Sequence, residues 1–396
     1  MVAYRLLEGI VFGCIGAVVY SYLLYPFVLL LLASVRQTAS DAAFVLRKVD
    51  RRRRPATELP AVDIVIAAFN EEAHIARRIE NLLELDYPAD RLCVRVGSDG
   101  SSDGTAELLR AVTDPRVDVQ VYAVNRGKAS VLNDLAARAT APILVFSDAN
   151  TEFDRQALQR LVAHFVDERV GGVSGELRLK RAGGDNQDSL YWRIEQMLKT
   201  FEARIGALLG ANGAIYAIRR ELWRPLRPDT ICDDFCVGMN VSAMGRRLVY
   251  DPTAWAEEDT PSAIVDEYHR RVRIGIGNFQ ALARQPEYLF RTSVPTAFAY
   301  LSHKILRWIA PHLLLLALFA SLLLAIDSTP WRVAAAAQIV VYLGAAALYW
   351  RSLGGRRLGG LMKIVAFLFA LNWAFLAASA RFATGRYRGS WRRSVR

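Results

Sequence analysis

The 396-residue chain is poor in lysine. Six of its 50 cationic residues are lysine (Lys48, Lys128, Lys180, Lys199, Lys304 and Lys363), so arginine carries nearly all the positive charge. Against 39 acidic residues the formal net charge is +11. Cysteine is scarce too: Cys14, Cys93, Cys232 and Cys236 are too few and too scattered for a disulfide framework. Cys232 and Cys236 form a CxxxC, but no second Cys or His pair lies nearby to complete a tetrahedral zinc site. No GxGxxG follows the first strand-like run and no GxxxxGK[ST] occurs, so neither a dinucleotide-binding fold nor a P-loop is supported. With 53% hydrophobic residues and a mean hydropathy of +0.16, the chain is excluded from the disordered class, which needs low hydrophobicity.

The apolar residues are clustered. Residues 9–35, GIVFGCIGAVVYSYLLYPFVLLLLASV, carry no charge. At about 1.5 Å per residue they outrun the ~30 Å hydrocarbon core and can span it with tilt. A signal peptide has an apolar core of only about 7–15 residues, so residues 1–36 are expected to be a retained anchor. Arg5 and Glu8 precede it; Arg36, Arg47, Lys48 and Arg51 to Arg54 follow, in a basic linker at 37–60. Positive charge stays in the cytoplasm, which puts the middle of the chain on that side of the cell (inner) membrane. Directly after a span, the arginine run sets topology and meets the anionic lipid bilayer, and no nucleic-acid partner is expected.

Three further stretches of spanning length, at 308–326, 332–350 and 361–380, make a C-terminal transmembrane region at 308–380. Between the soluble part and these spans, residues 281–307 mix Arg284, Arg291, His303, Lys304 and Arg307 with Leu289, Phe290, Phe298, Tyr300 and Leu301. That suits helices lying in the membrane interface, or equally a helix packed on the soluble domain. One span plus three leaves the basic tail at 381–396 outside, against the positive-inside rule, so the number of spans and the side of the C-terminus stay open.

Residues 61–280 alternate strand and helix signals. VDIVIAAF (62–69) suits a strand buried on both faces. After it come a helix with Ile75, Ile79, Leu82 and Leu83 at helical spacing, LCVRVGSD (92–99), a helix from Asp103, VDVQVYAV (117–124), a helix from Lys128, and ILVFSDAN (143–150). This predicts an α/β domain with a mostly parallel, Rossmann-like sheet. In such sheets ligands sit beyond the carboxyl ends of the strands. Asn70, Glu71, Asp99, Asp148 and Asn150 all stand at strand ends. Asp103 is well explained as a helix cap. Asp99 and Asp148 would repel each other on one sheet edge unless a cation or hydroxyl-rich ligand lay between them.

FNEE (69–72), SDGSSDGT (98–105), RGKASVLN (126–133), FSDAN (146–150), GANGAIYAIRRELW ending at Trp223, DDF (233–235) and RRVRIGIGN (270–278) occur in one order. It is the order seen in membrane-embedded family 2 glycosyltransferases, the group of cellulose, hyaluronan and poly-N-acetylglucosamine synthases, which this chain resembles over about residues 60–280. The resemblance implies a GT-A-like α/β domain at 61–280 that binds a nucleotide sugar, usually a UDP-sugar, with Mg2+ or Mn2+. By position, Phe69 and Glu71 would line the uracil pocket, Asp99 would hold the nucleoside and Lys128 would approach the diphosphate. Asp148 would be the first acid of Asp-x-Asp, with Asn150 in the second place as its metal-side partner. Asp234 would match the catalytic acid of Thr-Glu-Asp, with Asp233 in the glutamate position. Arg270 to Ile274 would match Gln-x-x-Arg-Trp, giving Arg270 and Arg273 to the donor.

The chemistry needs these residue types. An acceptor hydroxyl is a poor nucleophile, so a carboxylate must take its proton as it attacks the anomeric carbon in line with the departing UDP; by the resemblance, Asp234 would have that role. The leaving diphosphate gains charge that a divalent cation, Lys128 and Arg273 can stabilise, arginine through its planar fork. Three positions depart from the pattern. Asn150 ligates a hard cation without charge, Arg270 replaces glutamine, and Ile274 replaces the tryptophan associated with the acceptor sugar.

The expected activity is inverting transfer of a sugar from a UDP-sugar to a lipid-linked or polysaccharide acceptor at the cytoplasmic face, as in exopolysaccharide or glycolipid synthesis, with export partner proteins compatible. The rival within the class is a processive synthase that secretes its polymer, a reading helped by the WRRSVR tail at 391–396. The rival outside it is a catalytically silent, nucleotide-sensing membrane scaffold.

Overall fold

The computed structural model describes residues 1–47, 58–180, 189–259, 264–354 and 358–387; the Arg51 to Arg54 run and the WRRSVR tail lie outside the described residues. The contacts divide the chain into a helical unit of Met1–Leu30, Ser262–Arg284 and Ala299–Tyr387, and a sheet unit built on Leu31–Pro261 with Gln285–Phe298. The chain opens with α1 (Val2–Val19) and α2 (Tyr25–Arg47), continuous through a single π-helical turn at Tyr20–Leu24. Pro26 has no N–H to return to Tyr22, and a widened turn is one way a helix absorbs that loss.

The sheet unit follows in the alternation that the sequence predicts: β1 (Val62–Ala68), α3 (Ile75–Leu83), β2 (Leu92–Asp99), α4 (Thr105–Arg110), β3 (Val117–Tyr122), α5 (Lys128–Arg138) and β4 (Ile143–Phe146). Then come β5 (Glu152–Phe153), α6 (Ala157–Val162), β6 (Val170–Lys180), α7 (Ser189–Ile205), β7 (Tyr216–Arg219), α8 (Asp233–Ala243) and β8 (Arg247–Asp259). Among the described residues, the eight strands of the sheet run β3-β2-β1-β4-β7-β6-β8-β5. Every residue of β1 is buried, as the continuous apolar run requires of a strand covered on both faces. Ile75, Ile79 and Leu82 of α3 pack on it in the main core with Val94, Val96, Val145 and Leu158.

The sheet is parallel in four of its seven pairings among the described residues, β6–β8 included, and mixed overall because three antiparallel pairings join it. β3, β2, β1 and β4 are parallel, but β4–β7, β7–β6 and β8–β5 pair antiparallel. The antiparallel β7 lies beside β4, with Phe146 opposite Tyr216 and their rings stacked at 4.8 Å. The consequence for function is direct: β7 brings the GANG turn to the carboxyl end of β4.

The chain continues through α9 (Ile264–Arg284), α10 (Glu287–Phe290), α11 (Val294–Ala299), α12 (Leu306–Ala325), α13 (Thr329–Leu353) and α14 (Gly360–Ala383). A second π-helical turn, Tyr300–Ile305, leads into α12. The two widened turns meet: Tyr20 Oη lies 3.0 Å from Ser302 Oγ, and Ser21 Oγ donates to the Ser302 carbonyl at 2.8 Å. Among the described residues, four helical runs, Val2–Arg47, Val294–Ala325, Thr329–Leu353 and Gly360–Ala383, are long and apolar enough to cross a membrane. They expose Phe12, Phe27, Leu31, Phe319, Val340 and Trp350, a surface suited to lipid chains rather than water. The stretch at 281–307 is thus divided among the end of α9, two short helices and the turn that opens α12.

Candidate active site

The strand ends are laced to one another by bonds from backbone N–H groups to side-chain oxygens. Asn70 sits just beyond β1 at φ 55°, a conformation that asparagine tolerates better than most residues. Its Oδ1 accepts from the N–H of Ser102 at 2.8 Å, while its own N–H donates to Ser101 Oγ at 3.1 Å. The Glu71 N–H donates to Thr105 Oγ1 at 2.8 Å, and Asp103 accepts from the N–H groups of Glu72 and Thr105. Gly104 rather than Asp103 is the N-cap of α4; Asp103, one residue earlier, ties the loop after β1 to the loop after β2 through these bonds. Phe69 and Glu71 are half-buried at this edge.

Asp99 is fully buried, and its two oxygens accept from the N–H groups of Arg126 at 2.8 Å and Gly127 at 2.9 Å. Gly127 has φ +88°, a conformation that costs glycine little and other residues much. This clamp fixes the turn that presents Lys128 at the first position of α5.

Lys128 Nζ lies 2.8 Å from Asp148 Oδ1 and 3.2 Å from Asp233 Oδ2. Burial alone would pull its ammonium down, but Asp148 and Asp233 outweigh that and raise it well above the ordinary lysine value. Asp234 Oδ2 accepts from the Gly213 N–H at 3.0 Å and Oδ1 from the Phe235 N–H at 2.7 Å. Burial, then the neighbouring Asp233, push the Asp234 carboxyl up to about 6, against the opposing pull of Lys128 and the Phe235 N–H. Each carboxylate oxygen of Asp234 keeps lone-pair capacity beyond its backbone bond, so it can still take a proton.

Gly213 stands between the acids. A Cβ there would lie 3.3 Å from Asp234 Oδ2 and 3.7 Å from Asp148 Oδ2. Asp148, Asp233, Asp234 and Lys128 thus converge from β4, α8 and α5. Asn150 Nδ2 donates to Glu258 Oε1 at 2.8 Å, leaving its carbonyl oxygen as the end able to ligate. Asp148 and Asn150 offer oxygen donors only, the set that suits hard Mg2+ or Mn2+. Among the described residues no three His, Cys, Asp or Glu side chains form a metal cage, so a cation here would need ligands from a bound molecule as well.

Three supporting residues escape the sequence reading. Arg78 is buried beneath the acidic turn: Nη2 donates to Ser147 Oγ at 2.7 Å, Nη1 to Asn81 Oδ1 at 2.6 Å, and the guanidinium lies 4.3 Å from the centroid of the Phe153 ring. Ser147 Oγ in turn donates to the Ala214 carbonyl at 2.8 Å, joining the acidic turn to the GANG turn. Burial lowers the Arg78 guanidinium to about 9 although Asp148 and Glu152 oppose it. One signal was available: Arg78 occupies the stripe of Ile75, Ile79 and Leu82, where a charge is out of place. Tyr216, 1% exposed, puts a hydroxyl with no hydrogen-bond partner near Asp233, Asp234 and Asp148, and burial raises it well above the ordinary tyrosine value. Glu258 gave no signal beyond the acidic end of β8.

The remaining expected donor residues, Arg270 and Arg273, are exposed on α9 of the helical unit. Arg271 between them lies over the Phe367 ring at 4.7 Å, and Gly275 packs against Ala378 of α14.

Residues 63–247 match the family described as Glycosyl transferase family 2. Among curated proteins, a poly-beta-1,6-N-acetyl-D-glucosamine synthase of Staphylococcus aureus (strain COL) is 27% identical over 241 residues, covering 57% of this chain and 57% of that protein. The Staphylococcus epidermidis synthase is 25% identical over 238 residues with the same coverage. The match therefore spans little more than half the length of these relatives. Among solved structures, a mannosyltransferase from Pyrobaculum calidifontis in complex with GDP-Man and Mn2+ superposes with a TM-score of 0.69 at 22% identity, covering 96% of this chain and 100% of that one. That likeness establishes a shared fold. The ordered motifs, the mixed sheet and the convergence of acids at its carboxyl edge belong together: the chain carries a glycosyl transferase family 2 domain of GT-A-like fold, homologous to that of the poly-N-acetylglucosamine synthases.

Proposed function

We propose that the chain is an inverting glycosyltransferase that moves a sugar from a UDP-sugar to a lipid-linked or glycan acceptor at the cytoplasmic face of the cell membrane. The observation that carries this reading is the meeting of Asp148, Asp233, Asp234 and Lys128 around the Gly213 turn. Asp234 is the base. Its raised carboxyl is still ionised at neutral pH yet basic enough to take a hydroxyl proton. As the acceptor oxygen bonds to the anomeric carbon, the bond to the diphosphate breaks on the opposite side and the proton passes to Asp234. The Gly213 and Phe235 N–H groups keep the carboxylate aimed. Lys128 meets the charge that develops on the diphosphate. Asp148 and Asn150 would hold Mg2+ or Mn2+, which supplies further charge neutralisation there. Phe69, Glu71 and Asp99 line or brace the nucleoside end, and Arg270 and Arg273 are assigned to the pyrophosphate.

The mannosyltransferase of like fold was solved with GDP-Man and Mn2+, so GDP-mannose belongs in any donor screen beside the UDP-sugars. The test is nucleotide release by the purified full chain in nanodiscs, with Mg2+ or Mn2+ and a lipid-linked or oligosaccharide acceptor. Acceptor-dependent release of UDP supports the reading; release of GDP alone overturns the UDP assignment; no release with any donor favours the silent scaffold. Product sizing then separates single transfer from polymerisation. Ile274 at the tryptophan position favours a discrete product over a ladder of long chains.

A further inference from the structure

The proposed donor site holds three carboxylates and one ammonium. Lys128 Nζ contacts Asp148 Oδ1 at 2.8 Å and Asp233 Oδ2 at 3.2 Å, and its side chain is only 20% exposed. Asp148 is also the residue that would ligate a divalent cation. A carboxylate oxygen facing an ammonium at contact distance is a poorer cation ligand, because the approaching charge is repelled and the existing ion pair must be broken.

We infer that Lys128 links cation binding to donor binding: its ammonium competes with the divalent cation for Asp148, and an anionic diphosphate relieves the competition by drawing Lys128 to itself. The inference rests on the donor reading above and adds to it the order in which the site accepts its ligands. Four features favour it. The cation ligand and the ammonium partner are one carboxyl group. Asp99 clamps the backbone at Arg126 and Gly127, so the start of α5 stays fixed and any exchange of partners falls to the Lys128 side chain. Lysine suits this, having a flexible four-carbon stem and a compact charge, where arginine would hold a rigid fork. It is also one of only six lysines in a chain with 50 cationic residues. A diphosphate offers Lys128 charged oxygens to replace Asp148. The cation then meets an Asp148 without its competitor, and the linkage is reciprocal by thermodynamic necessity.

The experiment measures Mn2+ affinity of the full chain in nanodiscs by the electron paramagnetic resonance of free Mn2+, alone and with saturating UDP or GDP. Variants are Lys128→Gln and Lys128→Met, neutral but of different shape so that a folding defect in one does not end the test, and Lys128→Arg, which keeps the charge. The wild-type chain should bind Mn2+ weakly alone and strongly with nucleotide. In the neutral variants, nucleotide-free affinity should rise on the order of tenfold while affinity with nucleotide changes little, so the gain from nucleotide shrinks by that factor. Ligation of Mn2+ by the diphosphate itself is common to all variants and cancels in the comparison. Lys128→Arg should keep weak nucleotide-free binding. Neutral variants that gain equally with and without nucleotide, or not at all, overturn the inference while leaving the donor reading intact. Absence of nucleotide-dependent Mn2+ binding in the wild-type chain overturns the donor reading itself.

Discussion

Replacing Gly213 by alanine adds one methyl group between two carboxylates. The new Cβ would stand 3.3 Å from Asp234 Oδ2, 3.6 Å from Asp234 Cγ and 3.7 Å from Asp148 Oδ2. The Gly213 backbone is outside the positive-φ set, so alanine meets no conformational strain there. Its smaller unfolded-state entropy favours the folded chain by about 0.4–1 kcal/mol, roughly offsetting the few tenths of an ångström that Asp234 must yield. Stability should therefore stay within about 1 kcal/mol of wild type, a melting shift of about 2–4 °C at most for a domain of this size. Activity should not survive so well. The Gly213 N–H aims Asp234, and the methyl pushes that carboxyl aside while filling space that two acids face. A full 1 Å misplacement costs on the order of 100-fold in turnover, so this smaller one should lower turnover measurably, by up to that factor. The assay pairs nucleotide release with thermal unfolding on the same preparation. Gly213→Ala with wild-type turnover would show that neither the Gly213 contact nor the space beside it matters to the reaction, and the active-site assignment would fall with it.

Asp234→Asn keeps the shape but not the base, and should lower transfer by about 10²–10⁴-fold while nucleotide affinity stays within a few-fold; retained turnover removes Asp234 as the base. Because burial and Asp233 push the Asp234 carboxyl up to about 6, and the base works only when ionised, wild-type transfer should fall as pH drops through about 6. The residual rate of Asp234→Asn should lack that limb, and a shared limb would assign it elsewhere. Tyr216→Phe deletes a buried hydroxyl that has no hydrogen-bond partner, so its melting point should equal or exceed wild type; a lower one means the hydroxyl is satisfied. Asp251→Ala strands His164, 2.7 Å away, and the Thr253 N–H, at a cost of about 2–4 kcal/mol in denaturant unfolding. Burial alone would raise the Asp251 carboxyl, but the bonds from His164 and Thr253 hold it well below the usual range. Its contribution is therefore present above the unfolded value of 3.8 and is lost as pH falls below it, so the gap to the variant should narrow there and not on the alkaline side.

The local code was readable wherever neighbours in sequence are neighbours in space. The charge-free run at 9–35, the buried β1, the strand-ending acids and the Gly127 turn before α5 each follow from periodicity and turn chemistry. The seven ordered motifs marked the same acids that the tertiary structure gathers. The antiparallel pairing of β7 with β4 was not readable, because it joins Phe146 to Tyr216, 70 residues apart in sequence, and such long-range pairing is not set by local periodicity. Arg78 shows the border between the two: its place on an apolar stripe was visible, but not the Ser147 and Asn81 oxygens that receive it.

By itself, then, the sequence determined the classes of element, the apolar helices and the residue types of the proposed sugar-transfer site, since these depend on side-chain chemistry at short spacing. Only the tertiary structure decided that the Gly213 N–H would point at Asp234 and that Lys128 would bridge Asp148 to Asp233. Such geometry is set by how β4, β7, α5 and α8 pack, and packing distances are not written in the spacing of any one segment.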